Sequence, residues 1–307
     1  MNTQRFFLFL STICLAFSCD SNKDYPFSKA TVAQEVAIIE ANKDFNDYWY
    51  AGKAEVSSYE LKQARYGEIH DGDAVLIFVT EPFSLSKQVK LDYPENAGKD
   101  KVSVLKLNHV RKFNTGIYDY SVMTSLFTPV DYQNHPYTLK STTTSQEWCG
   151  HSFTQLNLDG NNYRFKQFSY FEAESDEEKK IDAALFEAEL MTRIRLNKGN
   201  LPTGELTLIP STIHARFAHQ DLRPSKAQIS KTQSESKTTY TIEYFHQTRT
   251  ITIEVEQAFP YKILAWSENN GDGLLTTARL KKSLHTPYWS QNDKANEGMR
   301  MVLELVK

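Results

Sequence analysis

The sequence predicts a mainly β protein, a large curved antiparallel sheet or half-barrel with one N-terminal and one central helix. Three observations point there. Strand-length segments rich in Thr, Tyr, Val and Phe recur from Ala54 to Leu284, the composition a pleated, half-buried surface favours. Turn signals of the Asp-Gly and Asn-Gly kind punctuate them. Only two stretches show helical spacing behind a capping box. Short consecutive antiparallel strands with few helices imply a strongly curved sheet with helices over an open face.

The chain opens with Arg5 and an apolar run, Phe6 to Phe17, of about twelve residues, too short to span a bilayer and the right length for a secretory signal. Ser18 then precedes Cys19, so the segment resembles a bacterial lipobox. That resemblance implies cleavage after residue 18 and acylation of Cys19. Residues 1–18 are thus read as a lipoprotein signal, 19–30 as a polar tether and 31–307 as one β-rich domain, with a two-part split near 198–205 as the alternative.

Thr31-x-x-Gln34 opens an expected helix from Val32 to Tyr48, with Val32, Val36 and Ile39 in register and Gly52 as its stop. Strands are expected over Ala54–Tyr66, Ala74–Thr80, Val102–Phe113, Ile117–Phe127, Tyr137–Trp148, His151–Asn157 and Tyr163–Phe171, with hairpin turns at Asp71-Gly72 and Asp159-Gly160. Ser175-x-x-Glu178 reads as a second capping box, opening a helix to Leu196 through Ile181, Ala184, Leu185 and Ala188; Lys198-Gly199 and Pro202 end it. Strands resume at Leu206–Ile209, Thr238–His246, Arg249–Glu256, Tyr261–Trp266 and Leu274–Leu284. Leu222–Lys237, rich in Ser, Lys and Gln, reads as a mobile loop or wide turn, and Met299–Val306 as a short amphipathic strand.

Composition narrows the function. The formal net charge is −3 and no Lys/Arg stripe occurs, which argues against nucleic acid as a partner. Of three cysteines, Cys14 leaves with the signal and Cys19 carries lipid, leaving Cys149 with no internal partner. The only cluster able to carry covalent chemistry is Glu147-Trp148-Cys149-Gly150-His151, in which His151 is the available base for a Cys149 nucleophile. On one extended strand the two lie about 6.6–7 Å apart, too far for a hydrogen bond unless Gly150 bends the chain. The reading preferred over catalysis is a buried free thiol beside a core tryptophan, so that Trp148→Ala is expected to cost about 3–5 kcal/mol.

Glu268-x-Asn270-x-Asp272-Gly273 imitates a calcium loop, but its twelfth position is Arg279, where a bidentate carboxylate is needed, so a hairpin turn is the reading. The eight histidines are scattered and no metal site is expected, nor any cofactor, since no P-loop, G-x-G-x-x-G or G-x-S-x-G motif occurs. The segment around Tyr118, Tyr120, Met123 and Trp148 is unusually aromatic. Several strands there are apolar on both faces, which calls for a covered second face or for a groove holding something apolar; these four residues are the candidate ligand contacts.

Asn114-Thr115-Gly116-Ile117-Tyr118-Asp119-Tyr120-Ser121-Val122-Met123-Thr124-Ser125, Gln146-Glu147-Trp148-Cys149-Gly150, Leu201-Pro202-Thr203-Gly204 and Tyr48-Trp49-Tyr50-Ala51-Gly52-Lys53-Ala54-Glu55 resemble blocks of a Bacteroidota lipoprotein family, over nearly the whole mature chain. Its members carry the label septum formation inhibitor, borrowed from a cytoplasmic nucleotide pyrophosphatase. The Ser-x-Ser-Pro-Arg-Arg motif of that enzyme is absent here. The resemblance implies no activity. The reading is therefore a lipid-anchored lipoprotein of the cell envelope, on the outer membrane. It would be a non-enzymatic binding or assembly module for an apolar ligand or partner protein. The alternative is a thiol-dependent hydrolase or transferase using Cys149 and His151.

Overall fold

A computed structural model describes residues 43–132 and 134–305. The signal, Cys19, the tether and residues 32–42 of the first expected helix lie outside these residues. Helix α1 (Lys43–Trp49) leads into β1 (Ala54–Arg65), β2 (Glu68–Ser84), β3 (Lys101–Thr115), β4 (Tyr118–Pro129), β5 (Lys140–Glu147), β6 (Gly150–Asp159), β7 (Asn162–Ser169) and β8 (Glu177–Asp182). Each pairs antiparallel with the next. The chain then passes through Ala183-Ala184 to β9 (Leu185–Phe186), α2 (Glu189–Leu196), β10 (Gly204–Ile209), α3 (Thr212–Ala218), β11 (Ser225–Gln233), β12 (Lys237–Tyr244), β13 (Thr250–Glu256), β14 (Ile263–Asn269) and β15 (Leu275–Thr286), ending in α4 (Met299–Val302). All fifteen strands form one sheet, ordered β8-β7-β6-β5-β4-β3-β2-β1-β15-β14-β13-β12-β11-β10-β9. The fold is mainly β, as expected.

Connectivity forces that sheet to curl. β8 and β9 are its two outer edges, yet only two residues join them, so the edges lie within about 11 Å at that corner. Arg111 on β3 bonds Glu268 on β14, although β2, β1 and β15 stand between them. A flat sheet would hold them about 19 Å apart. No ladder joins β8 to β9 or β10, so the sheet is not closed into a barrel. The Glu177-Glu178-Lys179-Lys180 run on β8 suits an edge that must refuse further strands. The sole parallel pair among the described residues, β9 with β10, follows from α2 carrying the chain back between them.

The concave side is filled rather than hollow. Every residue of α2 is buried, and the helix packs on β3, β4 and β9. Leu190, Ile194 and Leu196 join one apolar cluster with Leu61, Phe78, Leu107 and Val122 from the first half and Leu208, Ile242, Ile253 and Trp266 from the second. The convex face has two satellite clusters. One lies around Val56, Val79 and Leu303, and the other around Phe83, Val104 and Leu139. The two-sided apolarity of the strands is thus answered by core packing on both faces.

Several expectations need correction. Asp71-Gly72 is no turn but lies inside β2; the turn is Tyr66-Gly67, and a Cβ on Gly72 would stand 2.2 Å from the Lys112 carbonyl, so the glycine permits close approach of β3. Ser175 caps no helix, because its φ of 50° places it in a left-handed turn before β8. Ile181 faces Tyr163 across a ladder, and only Glu189–Leu196 is helical. Leu222–Lys237 holds strand β11, whose inward Ala227 and Ile229 are fully buried beneath polar outward neighbours. Met299–Val302 is a helical turn, and the Leu303 carbonyl beyond it accepts from Ser58 across the convex face. Helix α3 was not anticipated; its cap is Ser211, which accepts from the His214 amide at 3.4 Å.

The curl carries charge inward. Arg195 of α2 is paired with Glu55, which also accepts from Tyr48 at 2.7 Å, and its guanidinium lies between Trp49 and Phe78 at 5.4 and 5.2 Å. Arg193 donates to Glu189 at 2.7 Å and to the Pro136 carbonyl at 2.6 Å. A second buried chain runs from Glu187 through Arg249 (2.6 and 3.0 Å) to Glu268 (3.3 Å) and on to Arg111. Arg111 also donates to Gln63 at 3.1 Å and to His109 at 3.2 Å. Buried ions persist only when paired, and removing one partner typically costs about 3–5 kcal/mol.

Burial, reinforced by the Arg111 charge, pushes His109 down to about 3. Burial likewise lowers His214. Burial alone would raise Glu268, but Arg111 and Arg249 outweigh it and hold the carboxyl well below its usual range. For both histidines the unfolded chain takes a proton that the folded chain refuses. Stability is therefore complete above about pH 6.5 and falls as pH drops below it; Glu268 adds loss below about pH 4.3. Denaturant titrations should show His109 alone removing about 2 kcal/mol between pH 7 and pH 5, and His109→Gln should flatten that part of the profile. A stability independent of pH over this range would show that His109 is not buried in neutral form.

Candidate functional site

Antiparallel alternation places the connections after β1, β3, β5, β7, β12 and β14 at one end of the sheet, together with the α3 segment after β10. Three of them are two-residue hairpins: Tyr66-Gly67, Gly116-Ile117 and Trp148-Cys149. Tyr66 and Gly67 both have positive φ, the mirror-image turn that matches strand twist.

Five of the six connections present a large apolar side chain to solvent, and at the sixth the first residue of β15 does. Around the end in sheet order these are Tyr170, Trp148, Ile117, Tyr66, Leu275 and Phe245, with exposures of 69, 68, 86, 61, 47 and 47%. Adding Ile69 and Phe168 beside them, eight of the fifteen exposed large hydrophobic side chains of the described residues gather here. The opposite end carries Tyr50, Val89, Tyr93 and Trp289, but its tight turns, Gly160-Asn161 and Ser234-Glu235-Ser236, are polar. Single exposed apolar residues need no explanation, whereas a run of them over successive hairpins does.

A buried layer holds this rim in place. The Phe113 and Tyr120 rings stack at 4.8 Å, and Phe217 of α3 meets both edge-on at 6.1 and 5.8 Å. Arg65 lies over Phe217 at 4.8 Å and donates to its carbonyl at 2.6 Å. The Tyr66 and Tyr120 hydroxyls share a 2.7 Å hydrogen bond, and burial raises Tyr120 above the ordinary tyrosine range, keeping it neutral. Trp148 Nε1 donates to Asp119 at 2.7 Å, tying the third hairpin to the second. Gly150 lies beneath Tyr170, whose ring a Cβ there would meet at 2.5 Å, so glycine lets the fourth connection fold over the third.

Of the candidate ligand contacts, the structure brings together Tyr118, Tyr120 and Trp148, with Tyr118 6.4 Å from Trp148 and 5.8 Å from Tyr120. Met123 does not join them, because alternation along β4 turns it to the convex face. Tyr66, Phe217 and Phe245 were missed. Their signal was present as an aromatic beside or within each turn, but only the strand order shows that the turns share an end.

The Gln146–His151 segment is not core strand. Trp148 and Cys149 form the tip of a hairpin, and Cys149 is an exposed free cysteine. Its amide donates to Glu147 at 2.6 Å, and hydrogen bonding of the thiol to the same carboxylate pushes the thiol's pKa up, opposite to what a nucleophile needs. Cys149 engages Glu147 rather than His151, which is exposed on β6. Among the described residues, no group of three or more His, Cys, Asp or Glu side chains is placed to hold a metal ion. None of the helices in these residues is long and apolar enough to cross a membrane. The calcium-loop mimic is the β14–β15 hairpin, with Glu268 turned inward to its arginines.

No family model matches the chain, and no curated protein does either. Among solved structures it is similar to a beta-barrel-like protein of a domain of unknown function, DUF1849, from Brucella abortus. The two share 10% identity over 76% of this chain and 97% of that one, at a TM-score of 0.43. A likeness at that level carries nothing about activity.

Trp148→Ala should leave the thermal midpoint nearly unchanged, by less than about 1 kcal/mol, while Trp266→Ala, buried beside Tyr59 and His109, should cost about 3–5 kcal/mol. Thermal melts of the two variants decide whether the hairpin tip is surface or core. Cys149 should label in the native protein, but only as pH approaches or passes about 8.5. Rapid labelling at neutral pH would revive the nucleophile.

Proposed function

We propose that this chain is a non-enzymatic binding module of the cell envelope, acylated at Cys19 on the outer membrane, which docks an apolar ligand or partner protein through the aromatic-tipped end of its sheet. The observation that carries the reading is that a large apolar side chain is exposed in five of the hairpin connections at that end and, as Leu275, beside a sixth. Keeping Trp, Tyr, Phe, Ile and Leu in water forgoes the roughly 1.5–3 kcal/mol each gains on burial, and a binding partner recovers it. The concave side is occupied by α2, so the ligand is sought at the rim and not within the sheet. The signal at residues 1–18 and the resemblance to Bacteroidota lipoproteins support the anchoring.

An alkynyl fatty acid fed to cells should mark the wild-type protein and leave Cys19→Ala unmarked; equal marking removes the anchor. A photo-crosslinking residue at Trp148 or Tyr170 should form adducts in intact cells, whereas one at Asn161 on the opposite end should not. Equal adduct formation from both ends, or none at the rim, removes the docking surface.

A further inference from the structure

Resting on the docking surface just proposed, we infer that its occupant is the interfacial region of a lipid bilayer, into which the hairpin tips insert. Three observations favour a bilayer over a protein partner. The apolar residues sit singly in or beside six separate connections around the end of a curled sheet and share no single groove; the cavity beside Trp148 is otherwise lined by Asp119, Ser121, Gln146 and Glu147, polar walls unlike the apolar anchor pocket that concentrates binding energy at a protein interface. A broad apolar medium engages all of them without needing complementary relief.

The residue types are also those of the membrane interface. Trp148, Tyr66 and Tyr170 combine an apolar ring with a polar edge, the combination that settles at headgroup level, and Ile117, Leu275 and Phe245 supply purely apolar contact.

Charge selects the lipid. The hairpin tips themselves contain no exposed lysine or arginine: Arg249 is 2% exposed and bound to Glu187 and Glu268, and Arg65 is held under the rim against the Phe217 carbonyl. Among the exposed charges beside the tips, acidic Glu68, Asp119, Glu172, Asp176, Asp221 and Asp272 outnumber basic Lys112, Arg223 and Lys226, and Lys226 is paired with Glu205 at 2.6 Å. Such a rim is repelled by an anionic surface and suits a zwitterionic one. The chain between Cys19 and Lys43 reaches about 80 Å when extended, against about 50 Å for the length of β3, so an acyl anchor leaves the rim free to meet the same bilayer.

The test uses the non-acylated Cys19→Ser protein in a Trp289→Phe background, which leaves Trp148 as the exposed tryptophan beside buried Trp49 and Trp266. It is mixed with vesicles of pure phosphatidylcholine, and with vesicles that also contain phosphatidylglycerol. The expected result is flotation with pure phosphatidylcholine vesicles, a shift of tryptophan emission to shorter wavelength, and quenching by brominated acyl chains. Ile117→Ser with Trp148→Ser should lower the partition at least about tenfold at an unchanged melting midpoint. Protein that stays unbound overturns the inference, as does binding that needs phosphatidylglycerol and vanishes in salt. If no flotation occurs while a crosslinker at Trp148 captures a protein in cells, the bilayer is wrong and the docking surface stands; if neither occurs, both fall.

Discussion

Glu187, Arg249, Glu268 and Arg111 stand on parts of the chain that a flat sheet would keep far apart, and they meet only because the sheet curls. Each charge is buried, so each must keep its partner, and the curvature that brings them together is thereby held in place. The same reasoning applies to Arg195, which α2 delivers to Glu55 on β1. The central helix could not enter the concave side carrying three charged side chains unless the sheet and its own first turn answered each of them. Apolar packing supplies the bulk of the stability. The ion pairs select one curvature among those that apolar packing alone would allow.

Much of the architecture was legible in the sequence because alternation is a strong signal wherever one face is buried. Strand β1 was read within one residue of its end, and the β6–β7 hairpin was placed by Asp159-Gly160. The misreadings share a cause: local patterns that mimic another element. Ile181, Ala184, Leu185 and Ala188 have helical spacing, yet they fall on a strand, a crossover, a second strand and the residue before a helix. β11 hid because only Ala227 and Ile229 point inward. Trp148 was assigned to the core because tryptophan usually is buried; nothing local distinguishes a hairpin tip from a strand when neither turn residue is Gly, Asn or Asp.

The site was half legible for a related reason. Tyr118, Tyr120 and Trp148 belong together, and their density in the sequence showed it. Which turns face the same way depends on the parity of the strands, and that parity is lost where β8 reads as helix and β11 as a loop. The aromatic surplus that suggested a hollow interior is divided between two layers. Phe113 and Tyr120 lie beneath the surface with half-buried Phe217 against them, and the tips stand above. The interior itself is spent on α2, and binding capacity is left at the end where the strands stop.

Of the strands in the described residues, β1 is the first to leave the ribosome and β15 the last. They are neighbours in the finished sheet, with Ala54 opposite Thr286. From β2 through β8 each new strand finds its partner as soon as it follows, but one side of β1 stays open until nearly the whole polypeptide has been delivered. Contacts of such sequence separation form slowly and leave an unpaired edge meanwhile. That edge is bare until β15 arrives, so a truncation that removes only β15 would deprive the oldest strand of its neighbour rather than trim a dispensable tail.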